Sequence, residues 1–341
     1  MASGDRPLNL TRAQILAYRR NVGALDERLP AGPESLRRAA WAGLQDSMPR
    51  AALLSIHARV EGTTPSAWED PSLVQLWGPR FSAYVVAARD IAVFTLGRLP
   101  DDDKGLRRAE SAAARLDAFL AGRRLTYGEA GHALGIHPNA LRYGAPTGRI
   151  LIRWEGTRQP VVWTVPRPAV DPLEARLELA RRYLHIFGPG TPASLAEWAG
   201  IKPPRGAVAF EALAGELTPV RTPIGDGWIL SSDESTLLVP AASPAPARLL
   251  PSGDTYFLLQ GANRELLVPE PDRRRLLWTP RVSPGAVLVG GEIVGTWRRA
   301  DASVTVESWR RLTPPERQAV EAEADSLPLP GLAGRINVRF E

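Results

Sequence analysis

The chain contains no cysteine. Disulfides, zinc fingers and thiol catalysis are therefore excluded outright. Histidine is scarce: there are four, His57, His132, His137 and His185, and none sits in a His-x-x-x-His pattern. That argues against a histidine metal site, and no metal or other cofactor is expected. Long apolar runs are also missing. The opening MASGDRPLNL lacks the apolar core and cleavage site of a secretion signal, and nothing approaches membrane-spanning length. The simplest reading is a bacterial protein of the cytoplasm with no membrane partner, expected to be a monomer. Lysine occurs only at Lys104 and Lys202, so the positive charge is nearly all arginine. Codon bias in a GC-rich genome explains this blandly. Arginine also suits planar recognition of phosphate and guanine, and both readings can hold.

What is present is ordinary in amount. A length of 341 residues exceeds one compact core and suggests two or three modules. Hydrophobic residues make up 44% and charged residues 23%, typical of a folded domain. A net charge of +5 and a sequence pI near 9.9 fit nucleic-acid binding without requiring it. The arginine doublets at 19–20, 37–38, 123–124, 181–182 and 298–299 spread along the chain, so no single basic tail carries the charge.

The first third reads as mostly helical. Thr11-Arg12-Ala13-Gln14 has capping-box spacing. Pro33 opens a candidate helix over 34–44, and Pro49 another running through Leu53 to Val60. Residues 68–77 read as a short helix, 81–86 as a strand, 89–96 as helix, and the alanine-rich stretch 104–122 as a further helix. Thr126-Tyr127-Gly128-Glu129 is a second capping box. Its helix stops at Gly135-Ile136-His137-Pro138, and a short second helix follows over 139–143. Two short helices joined by a glycine turn, then strand-like runs at 150–154 and 161–165, predict a helix-turn-helix followed by a β-hairpin, the winged-helix layout.

The layout recurs. Thr126, Gly135, Ile136 and Pro138 reappear at one constant offset as Thr191, Gly200, Ile201 and Pro203. A second hairpin follows around Gly225-Asp226-Gly227. Two winged helices are expected, at about residues 125–168 and 172–232. Residues 240–247 are a linker by composition. Strands are expected at 249–250, 256–259, 266–268, 287–289 and 293–297, with a Gly290-Gly291 hairpin turn, and a final helix over 314–327. The fold class is α+β, tandem winged-helix units with a small C-terminal β-barrel. The expected division is a helical or winged-helix region at 1–124, winged-helix units at 125–168 and 169–239, and the barrel with its terminal helix at 248–341.

Particular segments carry a resemblance. They are Gly43-Leu44-Gln45, Leu76-Trp77-Gly78-Pro79-Arg80 before a strand, Gly148-Arg149 leading into a wing, Leu249-Leu250-Pro251 with Asp254, and the closing stretch from Val287 to Arg298. Together they resemble the AlkZ/YcaQ-type winged-helix DNA glycosylases along nearly the whole chain. The resemblance implies three winged-helix units and a C-terminal β-barrel around a DNA-sized channel. It implies metal-free excision of alkylated purines, some carrying bulky natural-product adducts, with double-stranded DNA as partner and a nucleoid-associated setting. The implied catalytic motif is Gln-x-Gln or Gln-x-Asp. Here Gln45 matches its first position, Asp46 follows, and Ser47 stands in the second. A family Arg-Gly-Thr-x-His segment reads Arg80-Phe81-Ser82-Ala83-Tyr84 here, with Tyr84 in the histidine's place.

The chemistry follows from the substrate. A purine alkylated at N7 or N3 is cationic and already a good leaving group, so the enzyme must place water at the anomeric carbon and stabilise an oxocarbenium-like transition state. A carboxylate can do both, which makes Asp46 a candidate base beside Gln45 and Ser47. The alternative for Asp46 and Ser47 is helix capping next to Pro49, and for Gln45 a polar helix-end position. Neighbours in an extended segment point apart, so Asp46 would then face away from Gln45. Arg142, Lys202 and Arg205 lie in or near the second helices of the two motifs, where a winged helix meets the major groove. Arg149, Arg153 and Arg158 flank the first wing, and Arg80 and Arg298 complete the candidate DNA contacts. Each has a solvated surface charge as its plain alternative. Trp154, Trp163 and Trp198 read as core rather than base-stacking residues. Two functions stay open: a DNA glycosylase for alkylated or bulky purine adducts, and a non-catalytic DNA-binding protein or regulator.

Overall fold

A computed structural model describes residues 7–156, 158–239, 245–259, 261–280, 282–329 and 335–341. It is a mixed α+β structure with three sheets. The sheet that positions the site has six strands in the order Leu44–Gln45, Ala83–Ala87, Leu73–Trp77, Ile150–Arg153, Val161–Thr164, Leu125–Thr126. Read from either end it runs short strand, outer hairpin strand, inner hairpin strand. The two halves meet where Leu73–Trp77 and Ile150–Arg153 lie antiparallel, with Gln75 opposite Ile152.

Each half repeats one plan. In the second half, helix Asp103–Leu120 leads to the short strand, to helix Tyr127–Ala133, to the 3-10 segment Pro138–Thr147 and to the hairpin. The Thr126 side chain accepts from the Glu129 N–H while Glu129 reaches back to the Thr126 backbone, the reciprocal capping read from the sequence. In the first half, helix Pro33–Ala39, strand Leu44–Gln45, helix Ala51–His57 and hairpin Leu73–Trp77/Ala83–Ala87 follow the same order. Residues 73–77, expected to be helical, are this hairpin's inner strand. Leu73, Gln75, Leu76 and Trp77 are all buried, so the segment lacks the polar alternation that marks a half-exposed strand.

A third sheet-and-helix unit follows the same plan: helices Pro172–Phe187, Pro192–Ala199 and Pro203–Ala212, then hairpin Leu217–Thr222/Gly225–Leu230. The N-terminal strand Leu8–Asn9 pairs parallel with this hairpin. Gly135 and Gly200 occupy the same place in their units. Their φ angles are +65° and +67°. The next isoleucine in each case donates its N–H to a carbonyl five residues back, Ile136 to Gly131 and Ile201 to Ala196, both at 3.0 Å. Tyr183, Phe187 and Trp198 cluster in this unit's core with ring centroids 5.2–5.4 Å apart.

The C-terminal sheet has the order Arg248–Leu250, Gly285–Val289, Glu292–Ala300, Ser303–Ser308, Asn337–Phe340. Gly290 and Gly291, both at positive φ, make the expected hairpin turn. Helix Pro314–Asp325 covers one face through Val320 and Ala324. The sheet is open. Among the described residues its two edge strands do not pair with each other, so the expected barrel does not close. Residues 266–268, expected as strand, end helix Asn263–Leu267, and 256–259 form no strand. Of the predicted linker, 240–244 lie outside the described residues.

Candidate functional site

The segment following Gly43 sits at the turn from the short strand of the first half into helix Ala51–His57. Gln45 pairs opposite Tyr84, and the Asp46 N–H donates to the Ala83 carbonyl at 2.8 Å. Residues 44–46 are therefore extended, and successive side chains point to opposite sides. Gln45 is half-buried, with its amide packed against Gly253. Its Oε1 is buried and has no hydrogen-bond partner. Ser47 is exposed and lines a cavity.

Asp46 turns the other way, into the protein. Its Oδ1 accepts from the Ala52 N–H at 3.0 Å and so caps helix Ala51–His57. Its Oδ2 accepts from Gln75 Nε2 at 2.5 Å. Gln75 Oε1 in turn accepts from the Trp154 N–H at 2.6 Å. Burial pushes the Asp46 carboxyl up to about 6, against the lowering effect of these donors and of Arg50 and Arg153.

Glycine makes room for Tyr84. A Cβ on Gly43 would lie 3.0 Å from the tyrosine ring and 2.8 Å from Phe94, and one on Gly78 would lie 2.9 Å from the ring. The Tyr84 hydroxyl is fully enclosed and unpartnered, and burial pushes it up to about 12. Asp254 plays a comparable anchoring role from the loop after strand Arg248–Leu250. It accepts from Arg59 Nη1 at 2.7 Å and Nη2 at 2.8 Å, from Ser55 Oγ at 2.6 Å and from the Tyr256 N–H at 2.9 Å. These bonds fix the loop that presses Gly253 against Gln45. Two segments far apart in sequence, both part of the family resemblance, thus meet at one side chain.

The cavity has a volume of about 490 Å³ and lies between the two halves of the six-stranded sheet. One wall is Ser47, Trp77, Phe81, Ser82 and Ala83; the other is Tyr127, Arg142, Trp154, Arg158, Gln159 and Pro160. Its lining is aromatic and basic, with no carboxylate. Arg80 and Phe81 hold left-handed backbone, φ +53° and +58°, which costs each on the order of 1–2 kcal/mol. The turn persists because Phe81 N–H bonds to the Gly78 carbonyl at 3.0 Å and Gly78 N–H to the Ser82 carbonyl at 2.9 Å. Gly200 packs on it, a Cβ there lying 2.9 Å from Arg80 N. Arg142 Nε is buried without a hydrogen-bond partner, with its guanidinium 5.8 Å from the Trp77 ring centre and 6.0 Å from that of Tyr127.

The basic residues divide by partner. Arg142 and Arg158 line the cavity, and Arg80 adjoins it. Arg298 is exposed on its strand. Arg149 is bound to Asp117 at 2.6 Å. Arg153 is bound to Glu69 at 3.2 Å and lies 3.6 Å from the centre of the Trp68 ring. Lys202 pairs with Asp102 at 3.0 Å. Arg205 is buried and pairs with Asp101 at 2.7 Å and Asp102 at 3.1 Å. Of the tryptophans, Trp198 is buried core, Trp163 is half-buried under Arg124, and Trp154 lines the cavity. Gln75, Trp77, Phe81 and Tyr127 are not among the site residues expected from the sequence, since nothing local shows that two hairpins join edge to edge.

A fold of repeated helix-and-hairpin units enclosing an aromatic, arginine-bearing cavity defines a class of protein suited to nucleic acid. The family described as DNA glycosylase AlkZ-like matches residues 38–328, and the chain belongs to that family. The solved structure of Streptomyces sahachiroi DNA glycosylase AlkZ superposes with a TM-score of 0.76, covering 98% of this chain and 100% of that one at 18% identity. No curated protein sequence matches the chain. No described helix is long and apolar enough to cross a membrane, and no group of three or more acidic or histidine side chains among the described residues could hold a metal.

Proposed function

We propose that the protein is a monomeric, cytoplasmic DNA glycosylase that removes alkylated or bulky-adduct purines from double-stranded DNA. The helix-and-hairpin units are read as tandem winged helices that present the cavity to the duplex. The observation that carries the reading is Ser47 opening onto the aromatic cavity, with Gln45 two residues before it in the chain and outside the cavity lining. Gln45 has a buried, unpartnered amide oxygen, and Ser47 opens onto an aromatic cavity large enough for an extruded base. In the reaction, water attacks the anomeric carbon, the glycosidic bond breaks, and its electron pair neutralises the cationic purine. Gln45 and Ser47 orient that water, and the proton passes to solvent. Trp77, Tyr127 and Trp154 supply faces on which a base or adduct stacks. Arg142 and Arg158, with Arg80 and Arg298 outside the cavity, meet phosphates or adduct oxygens. Arg153, Lys202 and Arg205 serve chiefly to hold the units together, and Arg149 to brace its own hairpin on helix Asp103–Leu120.

One observation favours a second reading. No carboxylate lines the cavity, so a protein that binds lesions without cutting them fits the same walls. Incubation with duplexes carrying N7-methylguanine or a bulky guanine adduct, followed by cleavage of abasic sites on a denaturing gel, separates the two. Strand breaks that need the protein support excision. Retarded but intact duplex supports binding alone.

A further inference from the structure

The buried position between Gln45 and Ser47 has a carboxylate that does not line the cavity but bonds through Gln75 to its opposite wall. From this we infer that Asp46 and Gln75 form a latch that holds the two cavity walls in register and so positions Ser47. The inference rests on the glycosylase reading for its catalytic consequence and on geometry for the latch itself.

The two halves of the six-stranded sheet share one registered backbone pair, Gln75 with Ile152. Beyond it the ladder is continued by a side chain. Gln75 Oε1 takes the Trp154 N–H at 2.6 Å, and Gln75 Nε2 reaches the Trp154 carbonyl at 3.3 Å. The same Nε2 donates to Asp46 Oδ2 at 2.5 Å, while Asp46 Oδ1 holds the Ala52 N–H at 3.0 Å. Both side chains are buried, Asp46 at 4% and Gln75 at 3% exposure. A continuous chain of bonds therefore runs from the start of helix Ala51–His57, through Asp46 and Gln75, to Trp154 on the opposite wall. Ser47 is covalently next to Asp46 within this chain of bonds, and Trp154 is its far end. Asp46 touches no part of the cavity and acts through its neighbours, so it is a positioning residue.

The polarity of the chain is fixed. Asp46 accepts twice, and Gln75 must donate to it and accept from Trp154. In Asp46→Asn two amide NH₂ groups face each other. Turning either amide relieves the clash, and each turn takes the acceptor from one backbone N–H, that of Ala52 or that of Trp154. The double variant Asp46→Asn with Gln75→Glu reverses the inner bond and restores both acceptors. Amide hydrogen exchange and single-turnover excision, measured on the full-length protein, test this. Asp46→Asn should exchange at Ala52 or Trp154 at least about tenfold faster and excise roughly 10- to 100-fold more slowly, the scale of an ångström-sized misplacement, at unchanged half-saturating DNA. The double variant should recover both. Unchanged exchange at both amides in Asp46→Asn overturns the latch. Parental excision in a variant that merely melts lower overturns its positioning role, and so does a double variant no better than the single. If the parent releases no base, the glycosylase reading and the positioning role both fail, while exchange still decides whether the latch exists.

Discussion

Removing the Asp254 carboxylate as Asp254→Ala should be among the most destabilising single changes in the chain. Its side chain is fully buried and that of Arg59 is 3% exposed. The substitution strands a guanidinium that keeps only two bonds, to the Ser55 carbonyl and to Thr255 Oγ1, each at 2.9 Å. Breaking a buried pair by deleting one partner costs about 3–5 kcal/mol, mainly because the surviving charge stays desolvated. The two residual acceptors place the expected loss in the lower half, at roughly 3–4 kcal/mol. With an m-value of about 3 kcal/mol per molar urea, the unfolding midpoint should fall by roughly 1 M. The control is Asp272→Ala, whose carboxylate pairs with Arg275 on the surface with both side chains largely exposed. Surface pairs contribute about 0–1 kcal/mol, so its midpoint should barely move. A second arm replaces both partners, Arg59→Met with Asp254→Leu, and should recover much of the loss because no charge is then buried. Equal midpoints for Asp254→Ala and Asp272→Ala would refute the argument, as would a double variant less stable than Asp254→Ala.

Asp46 gives a pH signature. Its carboxyl is pushed up from 3.8 to about 6, so its contribution to stability is full below about pH 4 and is lost as pH rises through 6. The loss approaches about 3 kcal/mol at 1.36 kcal/mol per pKa unit, and Asp46→Asn should flatten that limb in urea titrations between pH 4 and 7. Arg158→Ala should weaken duplex binding evenly across sequences and reduce the slope of log K against log salt by about 0.9, whereas an unchanged slope would remove Arg158 from the phosphate contacts. Arg205→Ala should lower stability by about 1–2 kcal/mol and leave DNA affinity intact, because its partners are Asp101 and Asp102. Gly43→Ala, with φ +76° and a Cβ 2.8 Å from Phe94, should cost about 2–4 kcal/mol in thermal or urea unfolding.

Local signals survived the comparison with structure best. Thr11, Thr126 and Thr191 each accept from the backbone three residues on, and Gly135, Gly200 and Gly290 sit at positive φ where a turn requires it. These are properties of a few consecutive residues. What the sequence leaves open involves partners distant in the chain. Leu73–Trp77 is a strand paired along its length with Ala83–Ala87, and its burial where Gln75 meets Ile152, nearly eighty residues on, hides the polar alternation that would have marked it. Arg205 and Lys202, expected from the sequence to face DNA, each pair with the acidic loop at 101–102, a partner the sequence does not show, and Lys202 stays largely exposed beside it. For Asp46, strand alternation beside Gln45 already pointed inward, and the sequence could not supply Gln75 as its partner. Tyr84, where the family resemblance implies a histidine, is enclosed between Gly43 and Gly78, a slot visible only once the short strand is paired.

The central claim is that Gln45 and Ser47 hold the water that releases a damaged purine. Its most direct measurement is mass spectrometric detection of free modified base under single-turnover conditions, with duplexes bearing N7-methylguanine or a bulky guanine adduct. The parent should release the modified base. Gln45→Ala should release base at least about 100-fold more slowly at unchanged DNA affinity, since neither Gln45 nor Ser47 need touch phosphate. Tight, salt-sensitive binding by the parent with no free base from either duplex would contradict that claim.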